Sequence, residues 1–257
     1  MNKSVKMKLA TLSVAAVAVI SAGADTTNRQ VRGSSMVRAT GGWVTRTTDG
    51  TKILLADARK VSSDLEAVRA EMQTMLNIPV LVRTAQHQGG VAPYGEARGF
   101  LSGDAGLVVF VYDGGSGEPV MSTFPENRIA LVNITPIVAG VDREKGLSRI
   151  EKELWRAVAY LAGNVFSTMP SVMRPVFAPS DLDGLECRTI NPMEANMINT
   201  VARNFGLARI QRTTYRSALR QGWAPPPTNE FQKAIWEKEH AVPKNPMKIE
   251  FDPKKGK

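Results

Sequence analysis

Apolar residues recur at three- and four-residue steps in two stretches of this 257-residue chain. Val61, Leu65, Val68, Met72, Met75 and Leu76 predict an amphipathic helix facing a core, and Ser63 with Glu66 has the spacing of a capping pair. Leu147, Ile150, Leu154, Val158 and Leu161 predict a second helix, which Gly163-Asn164 is suited to end. Between them lie four short apolar or β-branched runs bounded by turn residues, at 79–82, 107–112, 120–124 and 129–134, each predicted as a strand. The glycine cluster at 113–117 reads as a hairpin turn: no helix start follows it, and it has no lysine at P-loop spacing.

That order predicts an α+β domain, a mixed sheet of about four strands with both main helices on one face. Residues 25–54 are polar and without sustained period, an extended leader with at most a short strand near Trp43. Helices are expected over 193–205, 213–221 and 228–240, with Pro225-Pro226-Pro227 as a rigid break and an irregular tail after Pro243. The expected organisation is a signal peptide at 1–24, the leader at 25–54, the α+β domain at 55–190 and a helical C-terminal region at 191–257.

The first residues change the setting in which the fold is read. Lys3, Lys6 and Lys8 precede an apolar stretch from Leu9 to Ile20, and Ala22-Gly23-Ala24 supplies small residues for cleavage. Export to the periplasm or the cell exterior is expected, with a mature start at Asp25. No later segment is apolar enough to cross a membrane, so no span is expected after removal of the leader. Cys187 is the only cysteine, which rules out an internal disulfide. The formal charge is +9. Arg203, Arg209, Arg212, Arg216 and Arg220 crowd one region, so an anionic envelope polymer is a conceivable partner. Nucleic acid is not expected, because export is expected and the basic cluster has no aromatic residues interleaved with it in a recognisable module.

Candidate chemistry concentrates in 153–183. The chain holds two histidines, His87 in a glycine-flanked loop setting and His240 after a charged helix, neither beside a nucleophile motif. The run 128–134, the glycine closing the helix, Val172-Met173 and Leu182-Asp183 resemble the archaemetzincin branch of the metzincin zinc peptidases over residues 55–187. The resemblance implies a zincin-like sheet and an active-site helix. Aligning the family's glycine with Gly163 puts Arg156 and Tyr160 where the family has its two helical histidines. It puts Ala157 at the general-base glutamate and Phe166 at the third zinc ligand. Gly163, Met173 and Asp183 then keep structural roles, and neither a metal nor any other cofactor is implied. An edge strand holds extended substrate in such folds, which marks 120–124, with Val120 and Phe124, as a candidate binding edge beside Arg156 and Tyr160.

The function so implied is an exported, non-catalytic metzincin-like protein, a pseudopeptidase that binds a protein or peptide ligand or has a structural role in the cell envelope. Two other readings remain open. One is a metal-independent hydrolase of an envelope polymer, using carboxylates such as Asp181 and Asp183; the other is a basic anion-binding surface module.

Overall fold

The strands that carry the sheet's centre are continuous apolar runs, the pattern expected where both faces are covered. In the computed structural model, which describes residues 36–59, 65–87, 92–101 and 103–241, helix α1 occupies 36–40 and is followed by β1 (Trp43–Thr47), β2 (Lys52–Ala58), α2 (Leu65–Leu76), β3 (Val80–Thr84), α3 (Pro93–Gly99) and β4 (Ala105–Tyr112). Then come β5 (Met121–Phe124), β6 (Ile129–Asn133), α4 (Thr135–Val138), α5 (Arg143–Leu161), α6 (Pro192–Asn204), β7 (Ile210–Thr214), α7 (Tyr215–Arg220) and α8 (Glu230–Ala241). The signal peptide, Val61, Ser63 and the tail after Pro243 lie outside the described residues.

Five strands form one sheet in the order β3-β2-β4-β6-β5, parallel except for β5, which pairs antiparallel to β6 at the edge. Every residue of β4 and β6 is buried. The chain steps from β2 to β3, then back across β2 to β4. Right-handed crossovers in opposite directions put α2 and α3 on opposite faces. Leu65, Val68, Met72 and Leu76 of α2 pack with Leu154, Trp155 and Val158 of α5 over Ile53, Leu55, Val109 and Val132. Ala97 of α3, helped by Tyr94 and Phe100, covers Leu54, Ala56, Phe110 and Leu131 on the other face. The expected α+β class and the two helices sharing a face are present; the second face has a helix of its own.

Three expectations need correction. β1 falls where a short strand near Trp43 is expected, but β2 begins within 25–54, the span expected to be an extended leader. Lys52–Ala58 supplies the strand between β3 and β4, so the sheet has five strands rather than four. Its buried run of Ile53, Leu54, Leu55 and Ala56 has no alternation to reveal a strand. The 113–117 cluster is not a hairpin turn, because β6 lies between β4 and β5. The buried Asn133 pins this loop instead: its Oδ1 accepts from Gly114 N–H at 2.9 Å and its Nδ2 donates to Gly115 O at 2.9 Å. A Cβ on Gly114 would meet Glu118 Oε2 at 2.6 Å and Tyr112 Cε2 at 2.8 Å, so the close approach requires glycine here.

By compactness the described residues divide into 44–213 and a second unit of 36–43 with 214–241. Within the larger unit β1 pairs with β7, and Arg46 Nε donates to Gln211 Oε1 at 2.8 Å. Within the smaller unit Gln232 Nε2 donates to Gly41 O at 2.9 Å, and the Arg38 guanidinium lies 5.8 Å from the Phe231 ring centroid. Among the described residues no helix is long and apolar enough to cross a membrane.

Candidate functional site

Helix α5 positions the chemistry. Asp142 caps it, accepting from Lys145 N–H at 2.8 Å, and Glu144 adds an acid to the first turn, where the helix dipole favours negative charge. Its C-terminus is a Schellman motif: Gly163 N–H donates to Tyr160 O at 2.9 Å and Asn164 N–H to Ala159 O at 3.0 Å, with Gly163 at φ +76°. The chain then leaves at a fixed angle, and Phe166 follows three residues on. Ser167 N–H donating to Met173 O, and Val172 N–H to Thr189 O, tie that loop to the segment behind it. Met173 is wholly buried beneath.

Glu153, Arg156, Tyr160, Phe166, Val120 and Met121 line one cleft of about 340 Å³, whose far wall is Val176, Phe177, Ala178 and Pro179. Asp181 builds that wall by accepting from the Phe177 and Ala178 amides at 2.8 and 3.0 Å; these bonds hold its carboxyl below the usual range. Of the residues singled out in the sequence, Arg156, Tyr160, Phe166 and Val120 are thus brought together. Phe124 is not: its ring packs on Tyr94 at 4.8 Å, against the other face of the sheet. Ala157 is buried in the core and absent from the cleft lining. Asp183 lies elsewhere, holding Arg149 through two hydrogen bonds of 2.8 and 2.6 Å and Lys145 at 3.0 Å.

The basic partner of the cleft is already committed. Arg156 Nη1 donates to Val172 O at 2.7 Å and Arg174 O at 2.9 Å, and Nη2 donates to Tyr160 Oη at 3.3 Å. Its Nε stands 3.1 Å from Glu153 Oε1 as an ion pair without an aligned hydrogen bond. Arg156 therefore welds α5 to the 172–174 segment and is not free to clasp a ligand carboxylate. Glu153 is only 2 % exposed, and its other oxygen, Oε2, has no hydrogen-bond partner. Burial pushes this carboxyl up, with Arg156 opposing. Burial also raises the Tyr160 phenol, whose ring meets Phe166 edge-on at 6.1 Å.

One side of the cleft is an open strand edge. Asn133 N–H donates to Val120 O at 2.8 Å, and hydrogen-bonded pairs alternate along an antiparallel ladder. Ser122 and Phe124 therefore bond to β6, whereas Met121 and Thr123 turn their N–H and C=O groups outward. Two of the lining residues are apolar and largely exposed, Phe166 at 57 % and Phe177 at 91 %.

The donor set does not fit a zinc ion: a guanidinium, a phenol and a phenyl ring stand at the three ligand positions that the resemblance implies, beside a single carboxylate. Among the described residues no three His, Cys, Asp or Glu side chains are grouped to hold a metal. A larger cavity of about 670 Å³ opens past the C-terminal ends of β2, β4 and β6, but its polar groups are engaged within the protein. Arg59 holds Asp57 at 2.6 Å, Thr135 donates to Gly114 O and Asp142 caps α5. The arginine cluster is likewise partly engaged, Arg209 with Asn199, and Arg216 and Arg220 with Glu239.

Sequence reading missed Phe177, whereas Met121 lies within the expected binding edge, 120–124. An acid three residues before Arg156 is spaced to pair with it on the helix, and Glu153 does so.

No protein-family model and no curated protein sequence matches the chain. Solved structures to which it is similar include the archaemetzincin of Methanopyrus kandleri, at TM-score 0.48 and 15 % identity over 60 % of this chain and 96 % of that one. A zinc-dependent peptidase from Methanocorpusculum labreanum follows at 0.46 and 17 %, over 57 % and 100 %. The archaemetzincin of Archaeoglobus fulgidus, solved with malonate, is similar at 0.45 and 15 %, over 57 % and 99 %.

Proposed function

We propose that this is an exported, non-hydrolytic binding protein that holds an extended peptide segment in the cleft between β5 and α5. One observation carries the reading: an unpaired strand edge and an apolar-rimmed cleft adjoin each other, with Met121 contributing to both. A strand laid along β5 gains main-chain hydrogen bonds from Met121 and Thr123 while its alternate side chains enter the cleft. Exposed apolar groups collected at one rim are typical of an interaction site. The cleft side chains support binding over hydrolysis. The Nη atoms of Arg156 are committed to Tyr160 and to the Val172 and Arg174 carbonyls, and Ala157 offers no base.

The hydrolase reading has less support, because Asp181 and Asp183 are bound to backbone amides and to Arg149, and neither lines this cleft. Incubation with an extended peptide, followed by equilibrium binding and intact-mass measurement, tests the proposal. A saturable complex with the peptide recovered whole is expected; shortened peptide would contradict it.

A further inference from the structure

Two polar atoms on the cleft floor lack a hydrogen-bond partner: Arg156 Nε, held as an ion pair 3.1 Å from Glu153 Oε1, and the acceptor Glu153 Oε2. Arg156 spends its donors on Val172 O, Arg174 O and Tyr160, and its remaining nitrogen faces Glu153 Oε1. Glu153 Oε2 is buried and without a partner. A buried acceptor left unmet costs about 1–3 kcal/mol, and more when charged, so a ligand that supplies a donor there gains a large advantage.

The rest of the cleft specifies the body that carries the donor. Its walls are Val120, Met121, Phe166, Val176 and Pro179, and its volume of about 340 Å³ lies at the small end of ligand pockets. Glu153 and Arg156 cancel in charge, so the floor is formally neutral. An inserted carboxylate would face Glu153, and an inserted ammonium or guanidinium would lose its water beside the Arg156 guanidinium. The group that meets all three conditions is uncharged, largely apolar and tipped with a single N–H or O–H donor. We infer that the cleft is a socket for a tyrosine or tryptophan side chain, presented by a bound peptide strand, whose phenol or indole donor is received by Glu153 Oε2. This rests on the peptide-binding reading and narrows it to one side-chain class.

The test uses the full-length mature protein and acetylated, amidated pentapeptides Ser-Val-Xaa-Val-Ser, with Xaa as Tyr, Trp, Phe, Lys or Glu. Tyr and Trp peptides are expected to bind about tenfold more tightly than Phe, because a site built around an acceptor rejects the analogue that lacks the donor. Glu153→Met should bring Tyr and Phe within about twofold of each other by removing that acceptor, with Phe affinity retained. Should Glu153→Met fail to fold, Glu153→Gln keeps the shape and leaves an uncharged acceptor, and lowers the Tyr:Phe ratio to roughly threefold.

Equal Tyr and Phe affinities, or tightest binding of Lys or Glu, would overturn the socket and leave the peptide reading standing. If no pentapeptide binds, the peptide reading fails, and N-acetyltyrosinamide against N-acetylphenylalaninamide then decides the socket alone. Tyrosinamide preference, with shifts in the amide resonances of Val120 and Phe166, would sustain it; no preference would overturn it.

Discussion

Deleting the Arg156 side chain would strand several groups at once. Glu153 would keep a buried charge with no counterion, and the carbonyls of Val172 and Arg174 would lose their donor. Breaking a buried pair from one side costs about 3–5 kcal/mol, so Arg156→Leu should lower unfolding stability by that much in a denaturant titration. Asp183 gives a prediction in pH. Arg149, and then Lys145, hold its carboxyl well below the usual range. A group with a depressed native value contributes its stability above the unfolded value, about 4, and loses it as pH falls through the native one. Asp183→Asn should therefore lower the thermal midpoint at neutral pH and flatten its decline below pH 4. At this scale the sequence was informative about large side chains at helical spacing: Arg156 and Tyr160 share a face because they are four apart, and Phe166 follows the turn at Gly163.

Single elements differ in how far their own pattern reveals them. β4 and β6 were legible from β-branched runs, and α5 from its period and its terminating glycine. β2 was not, because four consecutive buried residues fit a strand or a buried helix equally well. α3 was hidden by Pro93, Gly95 and Gly99, and its only buried residue is Ala97. β1 and β7 are held by pairing between distant segments, as the Arg46–Gln211 bond illustrates. β5 is the element on which the proposed peptide binding turns. Thr123 aims its N–H away from β6 and Ser122 toward it, so proline separates the two roles. Thr123→Pro should abolish peptide binding and change stability by less than about 1 kcal/mol, whereas Ser122→Pro should cost roughly 3 kcal/mol by removing a ladder bond. Equal binding by Thr123→Pro and the parent would argue against strand addition.

For the whole molecule, composition and the first residues bear on where the protein works, and packing bears on what it can do. The lysines at 3, 6 and 8 and the small residues at 22–24 motivate export, and N-terminal sequencing of the mature product should begin at Asp25; a retained Met1 would remove that part of the proposal. The central claim is that the cleft between β5 and α5 receives an extended peptide and leaves it uncut. Amide chemical-shift mapping during titration with the tyrosine-centred pentapeptide, followed by the mass of the recovered peptide, tests it most directly. The predicted result is shifts concentrated at Val120–Phe124, Phe166 and Phe177 with the peptide mass unchanged; shifts confined to other surfaces, or a shortened peptide, would contradict it.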